Sequence, residues 1–239
     1  MKKNLILFTV LLFAATSSNA QAYTSWGDKI SIGHSWTLGN NPTGSSRNFH
    51  PSVQVGRNAV FNINDNVGVG FGTFFSSEGS SYKLSTNDKW EHRANYIRVP
   101  IFASFNLGDV NRKIRPRIAV GPSVGFLVGG KTFILDNNDE FVGAKTVKAM
   151  HTKIDAGVNA TLGWNIRLKD GIWFNHDFNY YHGLVKQTPN TAVSLNNAVY
   201  TNRNLSMSMG FLISSQAMKK WKSKMHDGDG KWRHKRNMR

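Results

Sequence analysis

The sequence predicts an all-β fold, an eight-stranded antiparallel up-and-down transmembrane β-barrel with short periplasmic turns and longer extracellular loops. Three observations predict it: an N-terminal export signal, strand-length segments in which every second residue is apolar, and connections that alternate between short and long. Strands of this pattern present one apolar and one polar side. A closed barrel places the apolar sides in lipid and leaves no sheet edge there.

The N-terminus has the layout of a cleavable export signal. Two lysines precede an apolar run, Leu5–Ala15, and small or polar residues follow it as far as Ala22. This order is that of a secretory signal peptide, and the apolar run is too short to span a bilayer as a helix. We expect residues 1–22 to be a signal peptide, cleaved after Ala20 or Ala22, and residues 23–214 to form the barrel.

Composition narrows the class further. The 239 residues include no cysteine, so neither disulfides nor thiolate chemistry is expected. No segment after the signal is continuously apolar, which excludes a helical membrane protein. The mean hydropathy is −0.38, yet aromatic residues make up 12% of the chain and glycines number 22. A transmembrane barrel has this mixture because only half of each strand needs to be apolar.

Eight segments of the chain alternate apolar and polar residues. In the clearest, Ile154–Ile166, the even-numbered residues are apolar and the odd-numbered ones are polar or glycine. The second is less regular, because Arg57 falls in phase with Val53, Val55 and Phe61. An even count lets both ends of the barrel lie on the periplasmic side. The predicted strands are Lys29–Leu38, Phe49–Asn62, Val67–Ser76, Trp90–Leu107, Ile114–Val128, Ile154–Ile166, Ile172–Leu184 and Leu205–Ile213.

The connections between these strands alternate in length. Short turns rich in Asn, Asp and Gly are residues 63–66, 108–113 and 168–171. Longer connections are residues 39–48, 77–89, 129–150 and 185–202. This order is typical of an outer-membrane barrel, whereas a soluble sandwich has no reason to produce it.

Three segments resemble a known family. Tyr96–Phe102 contains a Tyr-x-x-x-Pro pattern, Arg115–Phe126 contains Ala-x-Gly-Pro-x-x-Gly, and Asn179–Leu184 has an aromatic pair shortly before Gly-Leu. Together they resemble the outer-membrane β-barrel family common in Bacteroidetes, which consists of PorT-like, OmpA-like small barrels. The resemblance extends over nearly the whole mature chain and implies an outer-membrane location. It implies no particular activity.

Four charged residues fall in the phase that faces the barrel interior: Arg98, Arg117, Asp155 and Asp177. The interior of an eight-stranded barrel is just wide enough for side chains. Opposite charges enclosed there are expected to pair, since an unpaired charge in such a space is costly. The phase therefore predicts a lumen charge network that closes the barrel. The alternative is that the four residues lie at different heights and contact only water.

Aromatic residues predict a belt at the membrane interface. Trp36, Trp164, Trp173 and Tyr180 are expected to lie there, because Trp and Tyr are enriched where hydrocarbon meets water. His176 shares the phase of the lipid-facing residues and is expected beside them.

The residue pattern predicts neither an active site nor a metal site. An enzyme that modifies lipid A needs a nucleophile beside a base, or a carboxylate with a base. His34 and Ser35 are adjacent, but neighbours on a strand point to opposite faces and cannot pair. His50, His92 and His151 each lack a second ligand at a diagnostic spacing. We therefore expect no catalytic residues, no metal and no cofactor.

A basic tail, residues 215–239, holds nine Lys or Arg and two Asp within a chain of net charge +16. Met218, Trp221 and Met225 recur in it at helical spacing. The tail is expected to be disordered or to form a short amphipathic helix that contacts anionic head groups or an acidic periplasmic partner. Nucleic acid is not expected as a partner, because the chain is exported. The contacting residues would be Lys219, Lys220, Trp221, Lys222 and Lys224.

The sequence favours a small, non-catalytic barrel surrounded by outer-membrane lipid, with a structural, accessory or surface-binding role through its extracellular loops. Three alternatives stay open: a narrow porin-like channel for small solutes, a lipid-modifying enzyme, and a soluble lipocalin-like carrier with its apolar face inward. No pattern in the sequence identifies an extracellular ligand.

Overall fold

Ten antiparallel strands account for most of the computed structural model, which describes residues 23–39, 44–84, 88–136, 138, 140–146, 151–187 and 200–223. The strands are β1 (Tyr23–Gly39), β2 (Ser45–Asn48), β3 (Pro51–Asn62), β4 (Val67–Leu84), β5 (Lys89–Asn106), β6 (Ile114–Leu135), β7 (Phe141–Thr146), β8 (Ile154–Lys169), β9 (Ile172–Gly183) and β10 (Tyr200–Ser214). The predicted signal peptide, residues 1–22, and the tail from Lys224 onward lie outside the described residues.

Eight of the ten strands close into a barrel. The ring runs β1–β3–β4–β5–β6–β8–β9–β10, and β10 returns to pair with β1. Each strand of the ring is antiparallel to the next, so the barrel is of the up-and-down type and has no free edge. Strands β2 and β7 pair with β4 and β6 outside the ring. This architecture confirms the predicted fold class.

The barrel is apolar outside and polar inside. Large apolar side chains on the outer face are exposed, such as Ile32 (63%) and Leu162 (61%). The inward positions hold enclosed polar side chains, such as Ser35 (1%) and Asn204 (1%). This is the reverse of a lipocalin-like carrier, which buries its apolar face. An apolar exterior of this extent is stable in lipid, which removes it from water.

All four segments predicted as extracellular loops contain strand. β4 continues to Leu84 and β6 to Leu135, β10 begins at Tyr200, and the short strands β2 and β7 also lie in predicted loops. The outward residues explain the difference. Along β5 they change from Ile97 to Asn95 and Arg93, so the strand leaves hydrocarbon and continues into water. The alternating apolar signal ends at the membrane surface, whereas the hydrogen bonding between strands does not.

A helix, residues 215–223, follows β10 at the periplasmic end of the barrel. The backbone N–H of Ser214 donates to the Gly171 carbonyl at 2.7 Å, which ties the start of the helix to the turn between β8 and β9. The Ser214 hydroxyl accepts from the backbone N–H of Ala217 at 3.2 Å and caps the first turn. Within the described ranges, no helix is long and apolar enough to cross a membrane.

Candidate functional site in the barrel lumen

The lumen holds a buried cluster centred on Arg98. Its guanidinium donates from Nε and Nη2 to the two oxygens of Glu78, both at 2.6 Å, and from Nη2 to Asp155 Oδ2 at 2.8 Å. The three side chains come from β5, β4 and β8, and none is more than 4% exposed. Charge-assisted, bidentate contacts are among the strongest side-chain hydrogen bonds. One guanidinium thus joins two carboxylates across the barrel, in what we call the Arg98 cluster.

Tyrosines and an amide complete the Arg98 cluster. The hydroxyl of Tyr181 and Nδ2 of Asn202 donate to Asp155 Oδ2 at 2.9 Å and 3.0 Å. The guanidinium carbon of Arg98 lies 4.0 Å from the centroid of the Tyr181 ring and 4.9 Å from that of Tyr96. Aromatic faces attract a cation at these distances. The guanidinium is therefore enclosed by carboxylates and by two rings.

A second cluster, the Asp177 cluster, lies nearer the periplasmic end. Arg117 Nη1 and Lys29 Nζ donate to Asp177 Oδ2 at 2.8 Å and 2.5 Å. Arg117 also donates from Nε to Ser104 Oγ at 3.1 Å. The three charged residues belong to β6, β1 and β9, which are not neighbours in the ring. The cluster therefore crosses the lumen and neutralises one enclosed carboxylate with two cations.

A glycine lies between the charged residues of each cluster. The strand register places Gly125 of β6 between Arg98 and Asp155. Gly163 of β8 likewise lies between Arg117 and Asp177. A Cβ on Gly163 would lie 2.3 Å from Asp177 Oδ1, and one on Gly125 would lie 3.0 Å from Arg98 Nη1. Because the middle strand carries no side chain there, charges two strands apart can meet.

Side chains occupy the lumen at further heights. Between the two clusters lies a cavity of about 70 Å³, which is room for a few water molecules. Toward the periplasm, Arg115 donates to the Asp65 carbonyl at 2.9 Å, and Asn165 donates to Asn106 Oδ1 at 2.6 Å. The interior is thus divided into small compartments along its length.

Three buried histidines, His50, His92 and His151, fill the extracellular end of the lumen above the apolar band; we call them the outer histidines. His92 Nδ1 lies 2.8 Å from Thr132 Oγ1, and His151 Nδ1 lies 3.2 Å from the Tyr96 hydroxyl. Burial lowers the pKa of His50 and His151 to about 4 and that of His92 to about 3. The imidazoles are therefore neutral at pH 7. Among the described residues, no group of three or more His, Asp or Glu is placed to hold a metal ion.

The predicted lumen charges meet in two clusters and not in one network. Arg98 and Asp155 lie in one, and Arg117 and Asp177 lie in the other. Sequence reasoning missed two of their partners. Glu78 fell in a segment predicted as a loop, where the apolar alternation has ended. Lys29 shares the inward phase of Ser31, so its position could have been recognised from the alternation.

The aromatic residues predicted for the interface divide between the two faces of the barrel. Trp36, Trp164 and Tyr180 are on the outer face, with the Trp36 and Tyr180 ring centroids 6.5 Å apart. Trp173 differs from the prediction, because odd-numbered positions of β9 point inward. It lines the periplasmic mouth, where the Arg167 guanidinium carbon lies 5.4 Å from its ring centroid.

The described part of the basic tail presents its charged side to solvent. Four of the predicted contact residues are exposed, Lys219, Lys220, Trp221 and Lys222, whereas Lys224 lies outside the described residues. Trp221 is 65% exposed and, with Met218 and Ile213, lines a groove of about 610 Å³ between the helix and the barrel rim. The helix therefore joins apolar and basic surface at the periplasmic edge of the apolar band.

Comparisons with known proteins agree with the barrel fold. A family model described as outer membrane protein beta-barrel domain matches residues 15–188. OprG from Pseudomonas aeruginosa is similar in structure, with a TM-score of 0.51 and 13% identity over 82% of this chain and 96% of OprG. Neisserial surface protein A gives a TM-score of 0.43 and 14% identity over 80% of this chain and 96% of its own. No curated protein matches the sequence. The chain resides in the outer membrane and belongs to the outer membrane protein β-barrel family.

Proposed function

We propose that this protein is a non-catalytic barrel with a closed lumen, and that its extracellular end has a structural, accessory or surface-binding role. The observation that carries the proposal is the Arg98 cluster. Its three charged side chains come from three strands of the ring and meet in the lumen, where they are at most 4% exposed.

Two charge clusters at different heights support a closed lumen. A passing solute would have to separate Arg98 from its two carboxylates and then Arg117 from Asp177. Removing one partner of a buried ion pair costs roughly 3–5 kcal/mol. If opening one cluster costs this much, the ratio of open to closed lumen falls by a factor of ten for about every 1.4 kcal/mol. One cluster alone would then be open less than about 1% of the time. The cavity of about 70 Å³ between them is suited to water.

The extracellular end supports a surface-binding role. Strands β4 to β7 continue above the apolar band and form a sheet in water. Phe141 and Val142, at the start of β7, are 64% and 65% exposed. The Arg93 guanidinium carbon lies 6.0 Å from the centroid of the Phe133 ring, which contacts Phe141. Exposed apolar side chains beside a cation are a surface that a macromolecule can contact.

Planar-bilayer conductance of the full chain tests the closed lumen. We expect the wild-type protein to show no stable openings. Removing one cluster, with E78S/R98S/D155S or with K29S/R117S/D177S, is expected to leave the other closed, whereas the combined variant should conduct. Large ion-selective openings in the wild type would instead establish the alternative, a narrow channel for small solutes.

A control variant and an assay of the membrane complete the test. E91S/R93S removes an ion pair of 2.7 Å at the rim, where Arg93 is 47% exposed, and should leave conductance unchanged. Mass spectra of lipid A from cells with and without the protein should be identical. A mass difference that depends on the protein would contradict the non-catalytic role.

We further infer that the tail helix lies on anionic head groups of the periplasmic leaflet. The exposed lysines and Trp221, beside an apolar groove at the barrel rim, support this placement. Limited proteolysis should remove the tail in neutral phosphatidylcholine vesicles and leave it intact in vesicles containing phosphatidylglycerol. Equal cleavage in both would contradict the inference, and an acidic periplasmic protein would then be the better partner.

We also infer a narrower kinship with PorT-like barrels. The residues of the Tyr-x-x-x-Pro and Gly-Pro patterns lie on the neighbouring strands β5 and β6, where Pro100 is opposite Ser123. Tyr96 of the same pattern is fully buried against the Arg98 cluster. The pattern therefore has a structural role in the lumen.

A further inference from the structure

An ion pair lies on the lipid-facing surface of the barrel. Asp28 of β1 and Arg57 of β3 are opposite each other in the strand register. Arg57 donates from Nε to Asp28 Oδ1 at 2.7 Å and from Nη2 to Oδ2 at 3.0 Å. The two side chains are 70% and 68% exposed, so the pair projects outward and is not covered by its own barrel.

Apolar residues surround this ion pair along both strands. Trp26 and Ile30 flank Asp28, and Val55 lies two residues from Arg57; all three are 43–51% exposed. On β3 the outward apolar residues extend four positions to either side, which is ~13 Å along the strand in each direction. Strands in such barrels are tilted by about 40°, so on β3 the pair lies roughly 10 Å inside each edge of the band. On β1 the outward apolar residues extend from Trp26 to Leu38, so the pair lies within the apolar band there too.

The ion pair leaves hydrogen-bonding capacity unused. The guanidinium of Arg57 donates to Asp28 from Nε and Nη2. Among the described residues, no acceptor lies within hydrogen-bond distance of Nη1. Each carboxylate oxygen of Asp28 accepts one bond and has room for another. In hydrocarbon no water satisfies these groups, and a lipid-facing charge near the bilayer midplane is destabilising. Thr73, which is opposite Arg57 on β4, adds a small polar side chain to the same outward patch.

We propose that this patch is the contact with a second copy of the chain in the membrane. A two-fold axis along the membrane normal brings the patch onto its own image, so that Arg57 of each copy faces Asp28 of the other. The free Nη1 donors then meet the free acceptor sites, and four alternating charges form a closed ring. The patch carries both signs side by side and is therefore complementary to itself, as an isologous interface requires. Acyl chains offer neither donor nor acceptor.

Disulfide cross-linking tests the contact directly, because the chain has no native cysteine. Val55→Cys places a thiol beside the ion pair. Leu162→Cys is a matched control, also lipid-facing and 61% exposed, on β8 at another part of the ring. In vesicles of the full chain under mild oxidation, we expect V55C to cross-link at least tenfold more than L162C. Equal cross-linking at both positions would overturn the proposal, and it would indicate random collision.

Charge reversal separates self-association from other partners. D28R and R57D each leave two like charges on one barrel, and each alone should lose at least tenfold in dimer measured by energy transfer between labelled copies. Mixing the two should restore a mixed dimer, because every charge then meets its opposite. Heat-dependent gel migration reports whether each variant has folded. If either charge-reversal variant has not folded, D28N/R57Q is tested in its place. This neutral variant should be monomeric. Dimer formation unaffected by these changes, or no recovery on mixing, would refute the second copy as occupant.

Discussion

Replacing Arg98 by methionine isolates the energetic role of the Arg98 cluster. Methionine retains much of the apolar stem and removes the guanidinium that joins Glu78 to Asp155. The two carboxylates are 2% and 0% exposed as residues and would stay enclosed without a cation. Their remaining donors are neutral, as in the contacts from Tyr181 and Asn202. These donors hold the carboxylate of Asp155 in place but do not balance its charge.

The expected destabilisation is about 3–5 kcal/mol, the range for removing one partner of a buried ion pair. With a urea dependence of about 2 kcal/mol per molar, the unfolding midpoint should fall by roughly 2 M. The triple variant E78Q/R98M/D155N removes all three charges and should recover at least half of the loss. Replacing a whole buried charge group by neutral residues is often close to neutral.

Urea unfolding in lipid vesicles, followed by tryptophan fluorescence and by heat-dependent gel migration, measures both variants. R93M is the control, because Arg93 pairs with Glu91 at 2.7 Å but is 47% exposed. An exposed pair contributes about 1 kcal/mol or less. The reasoning is refuted when R98M is no less stable than R93M, or when the triple variant is no more stable than R98M.

Two further predictions concern the histidines and the glycines. Because burial lowers the pKa of the outer histidines to about 3–4, the unfolded state, with pKa about 6.5, takes up protons first as the pH falls. Their contribution to stability is complete above pH ~7 and decreases toward pH 4, with a loss of ~2 kcal/mol per histidine at pH 5. Hydrogen exchange of the extracellular strand ends should show protection falling over this range, and H92Q should weaken the dependence; a flat profile contradicts the account. G163A should destabilise strongly, because its Cβ would meet backbone and Asp177 atoms at 2.3–2.7 Å, whereas G129A meets nothing within 4 Å. Equal urea midpoints for these two would contradict the need for a glycine beside the Asp177 cluster.

Much of the barrel could be predicted because lipid on the outside and a polar lumen on the inside impose the same two-residue alternation on every strand. Alternation located all eight strands of the ring. The largest differences are at the extracellular ends, where both faces are polar, but β1 also begins six residues before its predicted start and β8 ends three residues after its predicted end. The register of the lumen was less accessible, even beside a short turn. Counting back from the turn at residues 168–171 places Gly163 opposite His176, but a register shift between Arg167 and Lys169 moves it opposite Asp177. The long connection of residues 129–150 does not fix β6 against β8, and the Gly125–Asp155 register could not be counted in this way.

Which lumen charges meet depends on the stagger of the strands, and alternation does not encode stagger. Phase alone shows that Arg98 and Asp177 both point inward, but it gives no relative height. The structure separates them into different clusters, each completed by a residue that the prediction had not included, Glu78 or Lys29. The members of a charge network across a barrel therefore cannot be predicted from phase alone.

Arg57 shows the opposite case, a local violation that the fold does not remove. Its position in the alternation places it among the lipid-facing residues, although its side chain is charged. A register shift or bulge at that point would have turned the side chain inward. β3 pairs with β1 in continuous register through this position, so the side chain remains on the lipid face. Its partner Asp28 precedes the predicted start of the first strand, which is why the pair could not be foreseen. The outward residues before and after Arg57 on β3 are apolar, so a charge retained at this position supports the proposed contact outside the single barrel. Local rules are expected to fail at functional positions of this kind.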